Sequence, residues 1–261
     1  MKKLILYTFG LLILNNICFA QSNKYKLVWN DEFTTTGYPD TNKWKYEEGL
    51  IRNQELQYYT KARKENIDIE NGNLVITALK ENYEGAKYTS ASIRTKNKFN
   101  FRYGKVEIRA KFPSAIGTWP ALWLLGMNEN NKVNWPLSGE IDMLENVGWE
   151  PDTIHFNVHT KAYHHLLKTN KGKKLFVKNG HLDFHVYGLE WTKEKVDFYF
   201  DHKKVFTFKN EHTGMETWPF DNYMFIIMNL SIGGFWGGIK GVDDSKFPHQ
   251  FMIDYVRVWQ K

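Results

Sequence analysis

One cysteine among 261 residues leaves no internal disulfide and no cysteine-built zinc site. A basic stripe is missing too. The formal charge is +6, but lysines and arginines alternate with acids along the chain. Nucleic acid is therefore not expected as a partner, although an acidic polysaccharide is not excluded. No window reads as a long amphipathic helix, and no repeat or low-complexity linker interrupts residues 21–261. That stretch reads as one domain, long enough to bury a sizeable core. What the chain has in quantity is aromatic: 10 Trp, 14 Tyr and 18 Phe. A core can use many of these, but ten tryptophans is more than packing usually asks for. Flat rings also stack on the apolar faces of sugars.

The N-terminus carries a hydrophobic run. Residues 1–20 begin with Lys2 and Lys3, continue through an apolar stretch from Leu4 to Leu14, and end in Cys18-Phe19-Ala20. This is the pattern of a secretory signal peptide, and predicts a secreted or periplasmic protein. A membrane anchor is the alternative, but the run falls short of the ~18 apolar residues a span needs. An outer-membrane lipoprotein attached through Cys18 is the weaker reading, because Ile17 is a poor residue before a lipidated cysteine. Cleavage after Ala20 would remove the only cysteine.

Period-two alternation dominates the rest. Tyr103 to Phe112 places Val106, Ile108, Ala110 and Phe112 against Lys105, Glu107, Arg109 and Lys111, a half-buried strand. Asn73 to Ala78 and Met252 to Trp259 read as strands, and Tyr223 to Leu230 as a continuously apolar one. Val196 to Phe208 reads as a hairpin turning at Asp201 to Lys203, and Asn53 to Tyr59 as a possible single helical turn. Many strands at short spacing predict an all-β sandwich or barrel.

The most informative stretch is Ser138-Gly139-Glu140-Ile141-Asp142-Met143-Leu144-Glu145. In a strand, Glu140 and Asp142 share one face and Ile141 and Met143 the other. Strict alternation would send Glu145 into the core, where an unpaired carboxylate is costly. Either a β-bulge between Asp142 and Glu145 returns it to the face of Glu140, or the strand ends at Leu144. The bulged form lines up three carboxyls whose charges raise one another's pKa. One could then stay ionised and attack while another stays protonated and donates, as cleavage of a glycosidic bond requires. A calcium site and a solvated strand face remain the alternatives for these residues taken alone.

Glu-Ile-Asp-Met-Leu-Glu resembles the bulged E-x-D-x-x-E signature of glycoside hydrolase family 16, in its laminarinase-like branch of endo-β-1,3-glucanases. The resemblance covers nearly all of residues 21–261. It includes Trp29 to Phe33, Asn53 to Tyr59, Tyr103 to Ala110, Gly117 to Trp123, Asp183 to Tyr187, Asn229 to Gly234 and Asp254 to Val258. It implies a β-jelly-roll of two curved antiparallel sheets with a concave substrate cleft, and a retaining, two-step hydrolysis. Carried onto this chain, Glu140 is the nucleophile, Glu145 the acid and base, and Asp142 the support of the nucleophile. No cofactor is implied for catalysis.

The resemblance also implies a glucan-binding set. Trp119 and Trp123 line the cleft, Asn53 and Arg94 meet sugar hydroxyls on the non-reducing side, and His159 contacts the leaving-group side; His155, Asn157 and His159 alternate on one strand face, so a metal site is the alternative for them. Arg94 in a surface ion pair is the alternative. Trp236, among the glycines of Gly233 to Gly238, looks like an exposed sugar platform on a mobile loop. Trp135 and Trp149 flank the carboxylate strand and either reach the cleft or pack. Glu32, the backbone of Gly72 and Asp254 match positions where relatives hold a structural calcium, and oxygen-only ligands suit that ion. A monomer acting on laminarin-type β-glucan is expected. The competing readings are a hydrolase of an algal galactan such as agarose, porphyran or carrageenan, a transglycosylase, and a non-catalytic glucan-binding protein.

Overall fold

In a computed structural model of the chain, residues 24–127 and 134–261 are described; the predicted leader and Cys18 lie outside them. Two sheets face each other, as the alternation predicts, and their strands pair antiparallel except for Gln57–Tyr59, which runs parallel to Ala86–Ser90. The seven-stranded sheet runs in the order Lys171–Phe176, Thr153–His159, Glu140–Glu145, Thr118–Gly126, Met224–Ile232, Ser92–Arg94 and Lys45–Tyr46. The ten-stranded sheet is centred on Gly104–Lys111 and His249–Gln260. Lys26–Asp31 pairs with the last of these, so both ends of the described chain are tied into one sheet.

The core lies between the sheets. Leu122, Leu124, Ile141, Ile154, Phe156, Ile226 and Leu230 come from one side, and Val106, Ile108, Leu189, Phe198, Ile253 and Val256 from the other, all fully buried. Trp44 and Trp191 are buried with them, and Trp29 packs against the cluster. Most of the aromatic excess is thus structural.

Local details follow the turn chemistry. The predicted hairpin turns at Asp201 and His202, both with positive φ, between Lys195–Phe200 and Lys203–Lys209. A two-residue loop with left-handed residues matches the twist of its flanking strands. The possible helical turn from Asn53 does not form. Asn53 and Gln54 take φ of 55° and 52°, and the chain enters the strand Gln57–Tyr59. No helix among the described residues is long and apolar enough to cross a membrane.

Candidate active site

The carboxylate strand contains the bulge. Asp142 pairs with Asn157 and Glu145 with His155, so Met143 and Leu144 together oppose the single residue Phe156. Ile141, Met143 and Leu144 are all fully buried. One extra residue therefore lets the strand keep an apolar underside while Glu140, Asp142 and Glu145 share the opposite face. That face opens into a cleft of about 890 Å³, a volume suited to a chain of sugar rings.

The neighbouring strands furnish its walls in rows. Asn157, Asp142, Trp123, Ile227 and Arg94 stand side by side across five strands. His155, Glu145, Ala121 and Asn229 form the next row. The three carboxyls, Asn53, Trp119, Trp123, His159 and Trp236 all line the cleft. Trp135 joins them.

Each glutamate has its own partners. Trp119 Nε1 donates to Glu145 Oε1 at 3.0 Å, and Asn157 Nδ2 donates to Glu145 Oε2 at 3.3 Å. His159, opposite Glu140 on the adjacent strand, brings Nε2 to 3.7 Å from Glu140 and 3.3 Å from Asp142. Its ring is thus turned to the carboxyls. Asp142 Oδ2 is buried without a hydrogen-bond partner.

Burial pushes the Glu140 carboxyl up to about 8, and the charge of Asp142 adds to the effect. Glu145 is pushed up to about 8 by the same two causes in the same order. Asp142 is raised well above its usual range by burial. Removal from water thus comes before the mutual repulsion that the sequence suggests. Among the opposing influences, His159 and Arg52 favour charge on Glu140, whereas Glu145 has His159 and two neutral donors, Trp119 and Asn157.

Arg52, Asn229 and Ser231 line the cleft although the sequence reading gave them no role. Arg52 lies over Trp123 at 5.1 Å and pairs with Glu47, and its Nη1 is buried without a partner. Burial works against the charge of Glu47, but Arg52, Ser92 and Arg94 outweigh it and hold the carboxyl below its usual range. Asn229 accepts from Trp123 Nε1 at 2.8 Å and donates to Tyr59 and Ser231. The only local signal for these two was polar residues at alternate positions of an otherwise apolar strand. His155, held neutral with a pKa lowered to about 4 by burial, meets Glu150 and the Trp236 ring.

Other expectations change. Arg94 lies in the cleft row but beyond its lining, and donates to Glu47 at 2.9 Å, the ion-pair alternative. Trp236 is half-buried, with ring edges against Trp119 at 5.5 Å and His155 at 4.7 Å. Its loop is one helical turn, Gly234–Gly237, anchored by Phe235 N to Asn53 O and by Trp149 Nε1 to Trp236 O. Trp149 therefore packs behind the wall. A Cβ on Gly233 would come within 2.6 Å of Leu56 and one on Gly234 within 3.0 Å of Asn53 O. The glycines permit this docking, and neighbouring Phe235 is the exposed ring.

Glu32 and Asp254 lie on the other sheet. Arg257 grips Glu32 through two nitrogens at 2.9 and 2.7 Å, and Arg109 holds Asp254 at 2.5 Å. Gly72 completes the Asn71-Gly72 turn, both residues at positive φ. A calcium ion bound there would have to compete with both guanidiniums.

A β-sandwich with a cleft across one sheet, walled by indoles and floored by three unneutralised carboxyls, defines a glycoside hydrolase. A model of glycosyl hydrolases family 16 matches residues 54–257, and the chain belongs to that family. It is 48% identical to a beta-glucanase of Rhodothermus marinus, over 90% of this chain and 85% of that one. The X-ray structure of the laminarinase from Rhodothermus marinus superposes with a TM-score of 0.88 at 46% identity, covering 91% of this chain and 98% of the other. The laminarinase from Flavobacterium sp. UMI-01 gives 0.82 at 43%, covering 90% and 100%.

Proposed function

We propose that the protein is a retaining endo-glycosidase that cleaves internal β-1,3-glucosidic bonds of laminarin-type glucan, with mixed β-1,3/1,4 chains as further substrates. The observation that carries this is the bulge, which puts three carboxyls, Asp142 buried and Glu140 and Glu145 half-buried, on the floor of an indole-walled cleft. Similarity to laminarinases supports glucan over galactan.

In the first step, the Glu140 carboxylate attacks the anomeric carbon. Glu145 gives its proton to the departing oxygen, so the glycosidic bond breaks as a glycosyl–Glu140 ester forms. In the second step, Glu145, now a carboxylate, takes a proton from water. The water attacks the same carbon and Glu140 leaves. Two inversions give retention, which calls for carboxyls roughly 5 Å apart. Asp142 and His159 sit beside Glu140 and share its charge. Trp119, Trp123 and Phe235 offer ring faces or edges to sugar. One chain supplies every group, so the enzyme acts as a monomer, and the leader 1–20 directs its export.

The test is reducing-sugar release from laminarin, lichenan, agarose and carrageenan, with the product anomer read by NMR. Laminarin cleavage with retention is expected. Activity on a galactan and none on laminarin would overturn the assignment. Longer oligosaccharides among the products would mark a transglycosylase.

A further inference from the structure

We infer that Glu140, Asp142 and His159 form a binding site for a divalent transition-metal ion of the zinc type, which occupies the cleft in competition with substrate. One ligand atom from each of the three lies within 4.8 Å of the others. His159 Nε2 is 3.3 Å from Asp142 Oδ2 and 3.7 Å from Glu140 Oε1. Zinc bonds of about 2.0–2.1 Å at a tetrahedral angle separate neighbouring ligand atoms by roughly 3.3–3.4 Å. The two separations from His159 are thus close to the edge of such a tetrahedron, and the two carboxylate oxygens, within 4.8 Å of each other, need only a small approach to complete it.

A second, independent observation points the same way. The Asp142 side chain is 4% exposed, and its Oδ2, the atom facing His159, has no hydrogen-bond partner. The His159 side chain is 7% exposed, and its Nδ1 is also without a partner. In the neutral tautomer with the proton on Nδ1, Nε2 keeps its lone pair for a metal. Buried polar atoms left in this way lose their hydration without compensation. A cation would satisfy Oδ2 and neutralise two acidic side chains at once.

The donor set selects the class of ion. Imidazole with carboxylate suits zinc and its transition-metal neighbours, whereas magnesium and calcium want oxygen ligands alone. Three protein ligands leave one coordination position facing the cleft. An ion here would use the Glu140 oxygens and block their attack on sugar. That consequence rests on the proposed function; the binding itself does not.

Calorimetric titration of ZnCl2 into the substrate-free full chain tests the site. One zinc per chain is expected, with binding weakened roughly 100-fold in His159→Gln and in Asp142→Asn, both checked for native circular dichroism. Co2+ should give the strong visible absorption of a four-coordinate ion in the parent protein and lose it in His159→Gln. Equal affinity in the variants would place the metal elsewhere, for instance on exposed His202 or His212, and would overturn the proposal, as would no binding at all. With laminarin, zinc should raise KM and leave kcat unchanged. Zinc binding by a protein inactive on laminarin would refute the proposed function and leave the metal site standing.

Discussion

On the ten-stranded sheet, Glu32 is held by Arg257, Asp254 by Arg109, and Asp197 by Lys195 and Thr207. Glu32 is lowered by its arginine, and the partners of Asp197 outweigh the burial that opposes its charge. Across the sandwich, Glu140, Asp142 and Glu145 have no lysine or arginine within salt-bridge distance among the described residues. They are raised instead, with burial as the main cause. The same side chains thus do opposite work. In one sheet, charge is neutralised and supports the fold. In the other, it is withheld from water and kept available for proton transfer.

The comparison predicts opposite responses to the same glutamate-to-glutamine change. The largest effect is on turnover. Glu140→Gln should lower kcat on laminarin by about 10⁴-fold or more, because no covalent intermediate can form. Unchanged turnover would remove Glu140 from the reaction. Glu145→Gln should cost about 10²–10⁴-fold, with much of the loss recovered on an aryl glycoside whose leaving group needs no proton. The pH profile of kcat/KM in the parent enzyme should fall on its alkaline side near pH 8, where the carboxyl pair of the free enzyme loses its shared proton. A limb that stays in place in Glu145→Gln would break the link.

Stability should move the other way. A carboxyl whose folded pKa lies above its unfolded value weakens the fold as pH rises from about 4.5 to about 8. Below that window both states are protonated and the penalty vanishes. Glu140→Gln should therefore raise stability by about 1–3 kcal/mol at pH 8, with the gain disappearing near pH 4 in thermal melts. A loss of stability at pH 8 would contradict the electrostatic account. The smallest effect belongs to the other sheet. Glu32→Gln should leave kcat and KM alone and cost about 0.2–1 kcal/mol, since both partners are about a third exposed.

Sequence pattern made the fold and the bulge readable for the same physical reason. Alternation reports which face is buried, and Glu145 stood at a spacing that alternation alone would have driven into the core. Placement across strands distant in sequence was not readable. Arg52, Asn229 and Ser231 reach the cleft because Met224–Ile232 lies beside Thr118–Gly126, and Gly233 beside Glu55. No local period encodes that adjacency. The Trp236 loop was misjudged because glycines signal freedom in a sequence, whereas here they permit close docking. The orientation of His159 toward Asp142 likewise depends on inter-strand register.

Met143 gives the carboxylate strand something no regular strand has, a phase slip. Upstream of it the acids fall on even positions, downstream on odd ones, and both still point the same way. Deleting Met143 would keep the outer row of acids but leave two side chains, Ile141 and Leu144, beneath them instead of three. The spacing between attacking and donating groups and the filling of the space below would then change together. The reaction's geometry and the density of the interior are set by the same single insertion.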